Sequence, residues 1–259
     1  MVKIDNNSPK LWDAVWLANT NFEEEAIELV KTENGLMWKN IKKILLNKYG
    51  SLKGLKSIEI GAGKGTVSLL LAKEGVKVTI LDYSKKAIQS SKSFFKRNGM
   101  EASFVLCDAL KLDKKLLNSY DISLSFGTAE HFIGESRIKI MKSHFDVLNS
   151  NGVSFVSVPN KVNPFYRLHK FMSQKAGRWK FGEEYPFSII ELSKISRDLG
   201  MKESFIGSSL FQTPFLFRLR ISKILGKVWT TKAKLNVNME IETPFDPYIS
   251  PAIALVAEK

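Results

Sequence analysis

Residues 58–66 read IEIGAGKGT. Glycines at alternate positions, 61, 63 and 65, follow a short apolar run that carries one acid, Glu59. A strand-to-helix turn of this composition lets a ligand approach the main chain, because the side chains that would stand in its way are missing. The spacing discriminates between ligands. A triphosphate loop needs Gly, four residues, then Gly-Lys-Ser/Thr. Here Lys64 is followed by Gly65, and the residue five positions before Gly63 is Ile58, so that pattern fails. A dinucleotide loop, G-x-G-x-x-G, is met at Gly61 and Gly63, but its third glycine falls on Thr66. Lys64 is accordingly expected to face solvent rather than to clamp a phosphate.

Outward from the turn the pattern alternates. SIEI (57–60) reads as a strand and TVSLLLAKE (66–74) as a helix stopped by Gly75. VKVTILD (76–82) is a second strand, and SKKAIQSSKSFFKRN (84–98) a helix with Ser84 as its N-cap and Gly99 as its stop. ASFVLCDA (102–109), YDISLSF (120–126) and VSFVSVP (153–159) continue the strands, with a helix ESRIKIMKSHFDVLN (135–149) before the turn Asn151-Gly152. IIELSKISRDLG (189–200) reads as a helix, MKESFIGSSLF (201–211) as a sixth strand and PAIALVAEK (251–259) as the last. Strands alternating with single helices imply parallel crossovers and a doubly wound α/β sheet. The near-continuous apolar strands fit a sheet covered on both faces. Ahead of it, Ser8 to Lys48 carries apolar residues at three- and four-residue spacing, a helical cap starting at Ser8-Pro9. The expected organisation is a cap over 1–54 and a main domain over 55–259, interrupted by insertions at about 160–188 and 212–246.

The acids at the strand ends narrow the ligand. Asp82 closes the second strand, where a carboxylate can accept both hydroxyl protons of a ribose. Asp108 follows the third strand, and Tyr120-Asp121 opens the fourth, which leaves as SFGTAEHF (125–132). Glu59-x-Gly61-x-Gly63-x-Gly65, taken with these acids, resembles motif I and its sequels in the class I methyltransferases that use S-adenosylmethionine. The likeness is to the small-molecule branch, often called type 11, which includes the ubiquinone and menaquinone methyltransferases. It covers roughly residues 55–158, with weaker agreement to the C-terminus. It implies a Rossmann-like, mostly parallel sheet of seven strands with the last antiparallel. It also implies a cofactor cradle of Glu59, Gly61, Ala62, Gly63, Gly65, Asp82, Tyr83, Asp108, Ala109, Phe126 and Gly127. Within that cradle Asp108 would reach the adenine amino group, and Glu59 would fix the glycine turn or the ligand's ammonium. S-adenosylmethionine would be the cofactor and S-adenosylhomocysteine the product.

A sulfonium methyl is already electrophilic, so the protein's task is to align an acceptor and exclude water, adding a base only for a poorly ionised acceptor. By the resemblance the methyl would sit near the end of the fourth strand, which makes His131 the best-placed base, with Glu130 its orienting or substrate-binding neighbour, unless His131 caps the next segment or packs beneath the loop. No metal ligands are expected. His144, among apolar helical neighbours, reads as structural, and His169 reaches the cleft only if the first insertion folds over it. Trp12, Trp16 and Phe22 either line an apolar pocket or glue the cap to the domain. The chain has Ser125 to Thr128 where amino-methylating nucleic-acid enzymes of this fold usually carry a Pro-Pro pair. Its single cysteine, Cys107, is not beside a proline, as a cytosine C5 nucleophile would be, and reads as a core or pocket-edge residue.

Composition bounds the partners. One cysteine excludes an intramolecular disulfide, the start MVKIDNNSPKLWDAVW does not read as a secretory signal, and no apolar run approaches the roughly 18 residues a membrane span needs. A cytoplasmic enzyme is expected. Of the net charge of +13, Asn160 to Lys234 carries +10, from fifteen Lys/Arg against five Asp/Glu. Such asymmetry points either to an anionic partner or to a solvated basic face. PFLFRLRISKILGKVW (214–229) would form a basic amphipathic helix, so peripheral membrane contact is expected there unless its apolar residues pack on the core. The leading expectation is methyl transfer to a small apolar or aromatic acceptor, such as a lipid or quinone precursor. RNA methylation and a non-catalytic cofactor-binding module stay open beside it, with nucleic acid the weaker partner and the oligomeric state undetermined.

Overall fold

The computed structural model describes residues 8–17, 22–179, 181–209 and 242–259. In chain order the helices are α1 Pro9–Leu17, α2 Phe22–Asn34, α3 Leu36–Tyr49, α4 Thr66–Lys73, α5 Lys85–Arg97, α6 Gly134–Asp146, α7 Pro164–Lys175, α8 Ile189–Asp198 and α9 Asp246–Ile249. The strands are β1 Lys56–Ile60, β2 Lys77–Asp82, β3 Ser103–Leu106, β4 Tyr120–Phe126, β5 Leu148–Pro159, β6 Lys202–Gly207 and β7 Ala252–Glu258. They form one seven-stranded sheet in the order β3-β2-β1-β4-β5-β7-β6. Pairings from β3 through β5 are parallel, and β7 runs antiparallel to both β5 and β6. This is the doubly wound arrangement expected, with its last strand reversed. Strand order changes direction between β1 and β4, so the crevice outside their carboxyl ends is where such a sheet receives a ligand.

Alternation along the strands sends apolar side chains to both faces. Ile58 and Ile60 of β1, Val156 and Val158 of β5 and Leu255 of β7 are buried with Ile140, Met141 and Leu192 of α6 and α8. On the opposite face Ile80, Ile122, Leu124, Phe155 and Val256 are buried with Leu69, Phe95, Ile41 and Leu45 of α4, α5 and α3. Helix α3 thus shares the core of the sheet. Tyr49 at its end donates to the main-chain oxygens of Asp121 and Asn151, at 3.0 and 2.8 Å.

Element ends depart from the sequence reading where long-range packing intervenes. Helix α6 stops at Asp146, because Val147 and Leu148 turn into the core and Leu148 already pairs with Tyr120. β5 therefore starts before Asn151-Gly152, and the register shifts between Tyr120 and Ile122 to absorb the extra residues. β6 ends at Gly207 rather than Phe211: a Cβ at Gly207 would run into the main chain of Asp246, so α9 crosses the strand there at backbone distance. The first insertion contains α7, begun by Asn163, whose side chain accepts from Tyr166 N at 2.7 Å. The expected amphipathic helix at 214–229 lies outside the described residues.

Because Leu45 is fully buried between α3 and the sheet, Leu45→Ala should cost about 2–5 kcal/mol. A urea titration should show a lower midpoint at unchanged slope, with tryptophan fluorescence and far-UV circular dichroism changing together. Two separated transitions would show instead that the N-terminal helices fold apart from the sheet.

Candidate functional site

The tips of β1, β2, β3 and β4 open into one cavity of about 820 Å³. Every residue named above for the cofactor cradle lines it, as do Glu130 and His131. The turn after β1 is shaped by close approach. Gly61 and Gly63 have positive φ values of 65° and 54°. A Cβ on Gly61 would collide with the side chain of Thr128, and one on Gly63 with the indole of Trp16. Thr128 Oγ1 donates to Gly61 O at 3.1 Å, which ties the turn to the loop after β4.

Asp82 is 6% exposed. Its Oδ2 accepts from Gly63 N at 3.0 Å and its Oδ1 from Ser84 N at 2.9 Å. Burial pushes its pKa up, and these main-chain N–H groups work against that shift. Ser84 caps α5, its Oγ accepting from Ala87 N at 3.0 Å while donating to Asp13 of α1 at 2.6 Å. Glu59 is buried in β1, with Oε2 accepting from Ser68 N at 3.2 Å in α4. Burial raises its pKa to about 7 despite that bond. Asp108 caps the short turn after β3, accepting from Leu110 N at 2.9 Å.

Lys64 does not face solvent as expected. Its side chain is 11% exposed and pairs with Glu25 and Glu28 of α2, at 3.5 and 3.8 Å. Glu25, itself buried, also pairs with Arg97 of α5. The lysine of the glycine turn therefore fastens α2 over the turn, a long-range contact that local spacing does not encode. Trp12 and Trp16 of α1 line the cavity, Trp12 meeting the His131 ring edge-on at 4.8 Å. Phe22 is exposed, with the Arg97 guanidinium over its ring. Cys107 lines the cavity edge.

Beyond β4 the cleft changes character. Phe132, Ile133, Phe181 and Ile140 form apolar walls around Glu130, His131 and Glu184. Glu130 is 2% exposed, and burial raises its pKa to about 8. His131 Nδ1 lies 2.9 Å from the main-chain oxygen of Glu183, and burial lowers the ring's pKa. Glu184 reaches the cleft from the first insertion, where its Oε2 accepts from Tyr166 Oη at 2.6 Å. One ligand atom from each of Glu130, His131 and Glu184 lies within 4.8 Å of the others, close enough to converge on a cation. The sequence reading missed Glu184; its only signal was the pair Glu183-Glu184 in an otherwise basic segment.

Arg137 of α6 organises this end. Nε and Nη2 bond Glu191 at 2.7 and 3.3 Å, Nη1 bonds Phe132 O and Tyr185 O at 3.1 and 2.8 Å, and Nη2 also reaches Pro186 O at 3.3 Å. These bonds engage all five donors of the guanidinium, and its carbon stands 3.2 Å from the centre of the Phe187 ring. The two loops that deliver His131 and Glu184 are thereby held to one side chain. His144 is fully buried on Ser123 Oγ at 3.0 Å, with its pKa lowered to about 3, in keeping with a structural role. His169 instead pairs with Ser173, 3.1 Å away, and does not line the cavity.

Comparison with known proteins agrees with this architecture. Residues 58–152 match the family described as Methyltransferase domain. Ubiquinone biosynthesis O-methyltransferase of Rickettsia canadensis is 22% identical over 131 residues, covering 51% of this chain and 54% of that protein. Its counterpart in Pelagibacter ubique is 30% identical over 116 residues, covering 44% and 46%. The chain spans about half the length of the curated relatives it matches. Magnesium protoporphyrin IX methyltransferase from Synechocystis PCC 6803, solved with bound SAH, shares the fold at a TM-score of 0.58 and 16% identity, over 93% of this chain and 88% of that one. Glycine turn and strand order agree with the sequence match: residues 58–152 are similar to the Methyltransferase domain family, and the sheet shares the fold of the solved methyltransferase.

Proposed function

We propose that the chain binds S-adenosylmethionine at the tips of β1 to β3 and transfers its methyl group to a small acceptor with an apolar or aromatic body. One observation carries this reading: the side-chain-free turn at Gly61 and Gly63 and the polar end at Glu130, His131 and Glu184 belong to a single cavity. When bound, the cofactor supplies an electrophilic methyl on sulfur, which leaves as a neutral thioether once the acceptor's electron pair forms the new bond. Asp82 and the glycine turn fit the nucleoside part, and buried Glu59 fits a positively charged group. Trp12 and Trp16 roof the cleft and limit water. Phe132, Ile133 and Phe181 favour an acceptor with an apolar body. The polar cluster favours one whose reacting atom must lose a proton. The matched ubiquinone biosynthesis O-methyltransferases support a phenol-like or quinone-precursor acceptor as the finer form of this reading.

The decisive test is incubation of the protein with methyl-labelled cofactor and a cell extract. Label should enter organic-soluble small molecules. Label recovered in RNA would replace this reading with the nucleic-acid one, and cofactor binding without any transfer would leave a binding module.

Asp82→Ala should weaken S-adenosylmethionine binding about tenfold or more, because it removes the acceptor for Gly63 N together with a ribose partner. Isothermal calorimetry on variant protein with native far-UV dichroism measures this, and an unchanged dissociation constant would remove Asp82 from the site. The second expectation concerns pH. Glu59 is largely neutral below its raised pKa of about 7 and carboxylate above it. A cofactor ammonium favours the carboxylate, so affinity should rise several-fold between about pH 6 and about pH 8. Glu59→Gln should flatten that dependence; a wild-type profile that is flat or runs the other way would count against Glu59 as the ammonium's partner.

A further inference from the structure

We propose that Glu130, His131 and Glu184 bind a divalent cation at the acceptor end of the cleft. The donor atoms come from two separate segments, the loop after β4 and the first insertion, and lie within 4.8 Å of one another. Bonds of about 2.1 Å to a common ion place ligand atoms roughly 3–3.5 Å apart. The observed span is wider, so a bound ion would draw the three donors closer together.

Three further observations point to a ligand. Glu130 is 2% exposed, and its Oε2 has no hydrogen-bond partner among the described residues although it lines the cavity. A polar oxygen buried in this way is costly unless a partner meets it. The outer contacts are those that metal sites use. His131 is oriented by the main-chain oxygens of Glu183, 2.9 Å from Nδ1, and of Gly127. Tyr166 Oη donates to Glu184 Oε2 at 2.6 Å and orients that carboxylate. Lys170 bonds the Glu184 main-chain oxygen and Arg137 holds both contributing segments, so the geometry is braced from outside.

Two carboxylates and one imidazole, with no thiolate, suit Mn²⁺, Fe²⁺, Zn²⁺ or Mg²⁺. Three protein ligands leave coordination positions open toward the cavity. An acceptor oxygen bound there would release its proton more readily. That use of the ion rests on the methyl-transfer reading; the site itself does not.

The test uses the full chain stripped with chelator, titrated with Mn²⁺ by electron paramagnetic resonance and with Zn²⁺ by calorimetry. One ion per chain is expected. Glu130→Gln, His131→Ala and Glu184→Gln should each weaken binding at least tenfold, and His169→Ala, outside the cavity, should not. Wild-type protein that binds neither ion up to millimolar concentration would overturn the proposal whatever the fate of the variants. Equal binding by Glu130→Gln and Glu184→Gln variants with native far-UV dichroism would overturn it too. Ion binding without methyl transfer would uphold the site and remove only its proposed use.

Discussion

A buried carboxylate must be met by donors, and the glycine-turn end of the cavity is arranged around that requirement at Asp82. Its two oxygens take Gly63 N and Ser84 N, joining the glycine turn to the start of α5. Hydrogen bonds to a charged group contribute about 1.5–3 kcal/mol each, enough to hold a turn whose glycines have no side chains to pack. Ser91 Oγ donates to Gly63 O from the next turn of α5, so the same peptide region is gripped by its N–H and its C=O. Asp13 then takes Ser84 Oγ and Lys86 N, at 2.6 and 3.1 Å, and brings α1 down over the cleft. The roof of the cavity therefore depends on the residue that shapes its floor.

The part of this arrangement that was legible in the sequence is the part set by neighbours in the chain. The glycine turn, the Ser84 cap and the acids at the ends of β2 and β3 occupy positions that local geometry dictates; the turn and the acids line one cavity, and Ser84 caps the helix beside it. What the sequence did not disclose depends on elements far apart. Lys64 is drawn from solvent by Glu25 and Glu28, which only the docking of α2 brings near. The early start of β5 follows from Leu148 finding Tyr120 across the sheet. Glu184 became visible only once the insertion folded back onto the loop after β4.

The basic character of the first insertion also reads differently in three dimensions. Phe165, Leu168, Phe171 and Met172 of α7 are exposed alongside Arg167 and Lys175, and that side of the helix is both apolar and positive. Lys170 turns inward instead, to the main-chain oxygen of Glu184, where burial lowers its pKa while the surrounding carboxylates raise it. A charge count over this segment therefore mixes a surface property with a structural one. Lys170 belongs to the bracing of the cleft and cannot be added to the charge offered to an external partner.

The two ends of the cavity are held by different means, and this separates what each can vary. At the glycine-turn end the lining is main chain and strand-tip acids, so a substitution there disturbs the turn itself. At the acceptor end the lining comes from side chains on the loop after β4 and on an insertion pinned by Arg137. Replacing Phe181 or Ile133 changes the shape offered to an acceptor and leaves the Asp82 bonds untouched. Replacing Arg137 is another matter: lysine supplies three donors on a point charge and cannot reproduce a planar five-donor fork shared among three carbonyls and a carboxylate. The acceptor pocket can thus be reshaped at its apolar walls only while that single guanidinium keeps its two loops in register.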